Sequence, residues 1–174
     1  MILLSILLIA LFAAGLGLAL AHLGMAADSP WLLAHIASAI AAYALFGAAV
    51  VCAWLFTRSE QGLKTNRAMP PRIPLLTLER WMFVCVYAGF ALLSFSLICG
   101  SLAGGAEFLF KLQHKTIFAG LAWLCFAVLL AGRICLGWRG AKAVRMVHFG
   151  SVFLLLAYVG THFVLQIILK RGAA

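Results

Sequence analysis

Acidic side chains are scarce in this chain of 174 residues, which contains only Asp28, Glu60, Glu79 and Glu107. None of the four lies in the middle of a long apolar segment. Hydrolysis by paired carboxylates and proton relays built on acids both need carboxylates close to the reacting groups. The sequence therefore argues against both, and it also lacks the G-x-S-x-G, H-E-x-x-H and glycine-rich phosphate-loop motifs.

Charged residues of both signs make up only 10% of the sequence, whereas hydrophobic residues make up 66%. A soluble globule of this size needs more polar surface. A spanning helix needs about 20 predominantly apolar residues, and such segments occur at about 2–24, 31–56, 81–104, 116–136 and 147–169. The sequence therefore predicts an all-α fold, a polytopic membrane helix bundle with five transmembrane helices in a single membrane domain, 1–174.

The first apolar segment has no basic residue before it and is longer than the usual apolar core of a signal peptide, so we expect a retained first helix. The connections are predicted at 25–30 and 105–115 on one side of the membrane and at 57–80 and 137–146 on the other. We expect 105–115 to begin flexibly, because of its glycines, and to continue as a short amphipathic helix on the membrane surface.

The basic residues predict the orientation of the bundle. Nine of the thirteen Lys and Arg lie in or beside the connections 57–80 and 137–146, and four lie on the other side. Because basic connections stay in the cytoplasm, the N-terminus is predicted to be cytoplasmic and the C-terminus periplasmic, in a bacterial inner membrane. The basic residues form no single face with interleaved aromatics, so the net charge of +9 does not indicate nucleic-acid binding.

Few other residue types could take part in catalysis or bind a ligand. The five cysteines lie in or at the edges of apolar segments without a C-x-x-C pair, and we interpret them as small apolar residues. Four of the five histidines, His22, His35, His114 and His162, fall in the predicted outer half of the membrane. His148 falls at the cytoplasmic start of the last segment, where we expect it to be solvated.

The outer histidines have two interpretations. Imidazole is amphipathic and is therefore stable at a lipid–water interface. Interhelical hydrogen bonds could also be formed by Tyr158, His162 and Gln166, which are spaced i, i+4 and i+8. Alternatively, two neutral imidazoles on different helices can hold a heme iron from its two axial sides. Zinc and copper sites usually recruit Cys, carboxylates or at least three clustered histidines. The candidate ligands for heme are His35 with His114 or His162.

Several motifs resemble one known family. The runs "HIASAIAAYALFGAAVVCAWLF", "PPRIPLLTLERWMF", "HKTIFAGLAWLCFAVLLAGR", "GWRG" and "AYVGTHFVLQIIL" occur in order between about residues 31 and 170. They look like the C-terminal part of the cytochrome c assembly protein family. The most similar branch is that of the YpjD-like or HemX-like inner-membrane proteins, related to the CcsA subunit of cytochrome c synthases.

The resemblance implies heme binding or handling at the periplasmic face, with heme as cofactor. It implies that His35 is an outer-face axial ligand and that Tyr43 stands where the family's "H…SYA" tyrosine does. His162 is an approximate counterpart of the last-helix histidine, and His114 ends the loop that meets heme in relatives. Trp138 and Arg139 of "GWRG" are expected to be interface anchors.

The chain also departs from the family. Its loop "GGAEFLFKLQHKT" contains no tryptophan, whereas the synthase branch carries a WWD motif there, so no enzymatic activity is assigned. Relatives in this branch usually have about three more N-terminal helices. An alternative hypothesis is a non-enzymatic accessory or regulatory subunit that stabilises a partner membrane protein, since the small-residue faces of the first two helices suit helix association. Predicted partners are the lipid bilayer and other membrane proteins, among them apocytochrome c or a larger complex. A solute carrier is disfavoured because no broken helix is evident.

Overall fold

The protein is described by a computed structural model that covers the backbone of residues 6, 30–64, 74–110 and 114–163, and side chains in these ranges except 32, 103–110, 114–116 and 158–163. Apart from Pro74 and the turn at 137–140, the described residues are helical. The four helices are α1, Pro30–Lys64; α2, Leu75–Phe110; α3, His114–Leu136; and α4, Ala141–Phe163.

Three of these helices contain segments long and apolar enough to cross a membrane, Leu33–Lys64, Leu75–Leu102 and Ile117–Leu136. The chain is thus a multi-pass membrane protein, as its composition predicts. The predicted first span, 2–24, lies outside the described residues apart from Ile6, and the predicted last span, 147–169, is described only as far as residue 163. The structure therefore supports an all-helical fold with three such spans rather than the full predicted set of five.

The helices extend into two regions predicted to be connections. Residues 57–64 and 75–80 belong to α1 and α2, and α2 also continues through the three glycines to Phe110. The expectation of a flexible start and a separate surface helix at 105–115 therefore differs from the structure, where 105–110 continue α2. With 36 residues, α2 is about 54 Å long, which exceeds the hydrocarbon thickness of about 30 Å. The low helix propensity of glycine is a weak preference that tertiary context routinely overrides.

Local sequence signals set the ends of the helices. Pro30 opens α1, where its missing N–H removes no helical hydrogen bond. The carbonyl of Pro74 accepts hydrogen bonds from the amides of Thr77 and Leu78, at 3.0 and 3.2 Å, and so begins α2. Gly137 and Gly140 have φ of 62° and 58°, a left-handed conformation that favours glycine. They bound a short turn that ends α3 and starts α4.

The helices pack as two antiparallel pairs that also contact each other. α1 packs most extensively against α2, and α3 against α4, while smaller α1–α4 and α2–α3 contacts join the pairs. One end of the bundle, called here the basic end, is where α1 and α3 finish and α2 and α4 begin. The opposite end, where α1 and α3 begin, is called the histidine end.

A stack of two aromatic rings lies at the centre of the bundle and touches all four helices. Phe46 of α1 and Phe126 of α3 are fully buried, and their ring centroids are 4.0 Å apart at an interplanar angle of 16°. A Cβ on Gly89 of α2 would lie 3.1 Å from the Phe46 ring, and one on Gly150 of α4 would lie 2.8 Å from the Phe126 ring. We call these four residues the aromatic layer. The two glycines let the rings lie directly against helix backbone.

We predict that Gly150→Ala lowers the thermal stability of the purified protein, because the new methyl group overlaps the Phe126 ring. Overpacking of this kind costs about 1–3 kcal/mol. The matched control is Gly120→Ala in α3, where a Cβ would meet nothing within 4 Å. That substitution should be neutral or stabilising by up to about 1 kcal/mol, the intrinsic helix preference of alanine over glycine. Equal unfolding midpoints in detergent for the two variants would contradict the close packing of the Phe126 ring against Gly150.

An ion pair links α2 to α3 at the basic end. Nη1 of Arg133 lies 2.9 Å from Oε1 of Glu79 and donates to the Trp138 carbonyl at 3.1 Å. The guanidinium also lies over the Phe83 ring, 4.4 Å from its centroid. The Trp138 ring folds back onto α3, where it comes within 2.5 Å of the position of a Cβ on Gly132. The side chain of Trp138, which the sequence predicts to be an interface anchor, is thus packed against α3.

We predict that Glu79→Gln destabilises the protein by about 3–5 kcal/mol, because it leaves a partly buried guanidinium without its counter-charge. The control is Glu60→Gln. Glu60 forms the other described ion pair, with Lys64 at 2.9 Å, but that pair is solvent-exposed and its loss should cost about 1 kcal/mol or less. Denaturation in detergent measures the free energy of unfolding of the two variants. If Glu79→Gln loses no more stability than Glu60→Gln, the stabilising role given to the Glu79–Arg133 pair is wrong.

Candidate functional site

His35 lies in the first part of α1, at the histidine end, and its side chain is half-buried against α2. Its Nδ1 is 2.7 Å from the backbone carbonyl oxygen of Ser96 and 3.0 Å from the Ser96 hydroxyl. The same hydroxyl donates to the His35 carbonyl at 3.1 Å. Side chain and backbone of His35 are therefore both held by one residue of the neighbouring helix.

The contact with the Ser96 carbonyl determines which ring nitrogen carries the proton. A carbonyl oxygen only accepts hydrogen bonds, so at 2.7 Å the neutral imidazole must carry its hydrogen on Nδ1. The other nitrogen, Nε2, then has a free lone pair, and no described residue hydrogen-bonds to it. A backbone carbonyl bonded to Nδ1–H is the arrangement that orients metal-ligating histidines in proteins.

Small residues make room for this imidazole. A Cβ on Gly100 would lie 3.0 Å from both Cε1 and Nδ1 of His35, so the ring occupies space that a side chain there would crowd. On α1 itself, the Ser38 hydroxyl turns back to the Ala34 and His35 carbonyls, at 2.7 and 3.1 Å. Sequence reasoning identified His35 and a small-residue face on its helix, but it missed Ser96 and Gly100. Nothing local in the α2 sequence distinguishes them, because their role depends on the register of the two helices.

Tyr43 lies two turns further along α1 than His35. Its hydroxyl donates to the carbonyl of Leu154 in α4 at 2.5 Å, which ties α1 to α4. This hydrogen bond between helices is a structural role that the sequence did not indicate for Tyr43. A contact between Tyr43 and a cofactor stays a prediction.

The other two candidate ligands are described by their backbone only. His114 is the first residue of α3 and His162 lies in the last turn of α4, while their side chains lie outside the described part of the chain. Counted along the helices, His35 is 11 residues before Phe46, His114 is 12 before Phe126 and His162 is 12 after Gly150. At about 1.5 Å per residue, each is about 16–18 Å from the aromatic layer. The antiparallel packing thus brings all three backbone positions to the histidine end at a similar level.

His148 does not join this group. His148 belongs to α4 near the basic end, and it is 3% exposed with Nδ1 2.7 Å from the Val144 carbonyl. The expectation that it is solvated was wrong, because α4 presents this position to the interior of the bundle. His22 lies outside the described residues. Among side chains that the structure describes, no three His, Cys, Asp or Glu residues cluster as a metal site.

Comparison with known proteins identifies the class to which this bundle belongs. The family described as Cytochrome C assembly protein matches residues 1–169. The inner membrane protein YpjD of Escherichia coli K12 is 32% identical over 145 residues, which are 80% of this chain and 54% of that protein. No solved structure matches. The chain belongs to the cytochrome c assembly protein family, as its motifs suggested.

Proteins named cytochrome c biogenesis protein CcsA are also similar. The one from Heterosigma akashiwo is 29% identical over 91 residues, covering 51% of this chain and 28% of that protein. The one from Prochlorococcus marinus subspecies pastoris is 24% identical over 159 residues, covering 78% and 51%. The chain therefore spans about half the length, or less, of these curated relatives.

Proposed function

We propose that this protein binds heme at the histidine end of its bundle, as a heme-handling member of the cytochrome c assembly family, with His35 as one axial ligand. The single observation that carries the proposal is the hydrogen bond from His35 Nδ1 to the Ser96 carbonyl. It leaves Nε2 as the lone-pair nitrogen that a heme iron requires. Membership of the family supports the same conclusion independently.

The second axial ligand is proposed to be His114 or His162. Both backbone positions lie at the level of His35, and two axial imidazoles are enough to hold heme in an apolar slot. When bound, heme would supply a planar ring with an iron that takes one ligand on each face. The role of the protein chain would be to keep the His35 ring fixed in the ligating tautomer and to exclude water with its apolar helices.

The distribution of basic residues supports an orientation for this site. Arg58, Arg139 and Arg145 lie at the basic end, and basic connections favour the cytoplasmic side. We propose that the basic end is cytoplasmic, which puts the histidine end at the periplasmic face of a bacterial inner membrane. Heme held there would be available to a periplasmic partner, and apocytochrome c or a larger membrane complex is the proposed partner.

The proposal is tested by an optical spectrum of detergent-purified protein supplied with heme. We expect a Soret band and visible bands of low-spin heme with two imidazole ligands. His35→Ala should lose most of this absorption, and free imidazole should restore part of it by occupying the vacated ligand position. Of the variants His114→Ala and His162→Ala, one should lose the low-spin signature and the other should keep it.

The control is His22→Ala, which removes a histidine that we do not assign to the iron and should leave the spectrum unchanged. Size-exclusion profiles confirm that each variant remains folded. An unchanged spectrum in folded His35→Ala would rule out His35 as an axial ligand, and no band in the unmodified protein with excess heme would rule out heme binding. The second result would favour the accessory-subunit hypothesis.

A further inference from the structure

A groove on the surface of the bundle at its basic end is lined by apolar side chains and by two arginines. It has a volume of about 400 Å³ and lies between the start of α2 and the end of α3, where Leu76, Val84 and Tyr87 line it together with Arg80 and Arg139. We call it the basic groove. It lies at the opposite end of the bundle from His35 and is separate from the proposed heme site.

The charge of the basic groove is not balanced within the described part of the chain. Glu79 is its only carboxylate, and it is already paired with Arg133 at 2.9 Å. Arg80 and Arg139 are both solvent-exposed, and neither forms an ion pair with a described residue. Two arginines that line the same groove and pair with no described carboxylate favour an anion there, and guanidinium is the side chain best suited to phosphate oxygens.

Apolar side chains of α2 line the basic groove on both sides of Arg80. Leu76, Val84 and Tyr87 are 76%, 48% and 43% exposed, and Arg80, Val84 and Tyr87 follow one another at i, i+4 and i+7 on one face of the helix. In helices that span a membrane, exposed apolar side chains of this kind contact lipid chains. A ligand that matches the groove is thus anionic at one end and hydrocarbon at the other.

We propose that the basic groove binds an anionic phospholipid, with its phosphate between Arg80 and Arg139 and an acyl chain along Val84 and Tyr87. Basic pockets between membrane helices recognise lipid headgroups in this way. The Glu79–Arg133 pair and the Phe83 ring under the Arg133 guanidinium also line the groove, and they connect α2 to α3 there. The bound lipid would bridge α2 and α3, which share only a small direct contact.

The test is native mass spectrometry of the detergent-purified protein with added phosphatidylglycerol or phosphatidylcholine. We expect the protein to bind phosphatidylglycerol at least tenfold more tightly than phosphatidylcholine. Arg80→Gln and Arg139→Gln should each weaken its binding about fivefold, the effect of one basic residue near an anionic headgroup. Glycerol phosphate, which carries the phosphate without acyl chains, should not bind measurably at the same concentrations.

The control is Arg145→Gln, which removes an equal charge from the exposed surface of α4 at the same end but outside the basic groove. It should leave the affinity for phosphatidylglycerol within twofold of the unmodified protein. Equal binding of the two lipids, or equal losses in Arg145→Gln and Arg80→Gln, would overturn the proposal. Unfolding midpoints without added lipid verify that the Arg80 and Arg139 variants are folded, since both side chains are exposed.

Discussion

The contact of two phenylalanine rings with two glycine backbones is the constraint on which this bundle depends. Phe46 and Phe126 stack at 4.0 Å, and Gly89 and Gly150 close the stack at its two ends. Between membrane helices there is no gain from removing apolar groups from water, so close packing carries much of the association energy. The aromatic layer supplies that packing with one residue from each helix, and it determines how far apart the helices lie.

The two ends of the molecule follow from this central layer. Towards the histidine end, the α1–α2 separation is small enough for a backbone carbonyl of α2 to reach the imidazole of His35 at 2.7 Å. Towards the basic end, the ion pair between Glu79 and Arg133 joins α2 to α3, and both residues line the groove between these helices. Among the described residues, nothing hydrogen-bonds to Nε2 of His35 at one end of the bundle, and no carboxylate pairs with Arg80 or Arg139 at the other.

Much of this arrangement could be predicted from sequence, and the remainder depends on long-range register. Apolar runs of more than 20 residues predicted the helices, and their connections predicted which ends meet, so His35, His114 and His162 were expected at one end. The interhelical partners Ser96, Gly100 and Leu154 were not predicted, because a helix sequence does not state which of its faces meets a neighbour at which height. His148 was misplaced for the same reason, since proximity to Arg145 suggested solvent where α4 faces inward. The ion pair of Glu79 was not predicted either, because its partner Arg133 is 54 positions away.

The central claim is that the bundle holds His35 in the tautomer that leaves Nε2 free. The most direct measurement is the ¹⁵N NMR spectrum of heme-free protein labelled at histidine, with the His35 signals assigned by their loss in His35→Asn. In the neutral imidazole, Nδ1 should have the chemical shift of a protonated ring nitrogen and Nε2 that of an unprotonated one. A protonated Nε2 with a bare Nδ1 would contradict the account, because such a ring could not donate to the Ser96 carbonyl.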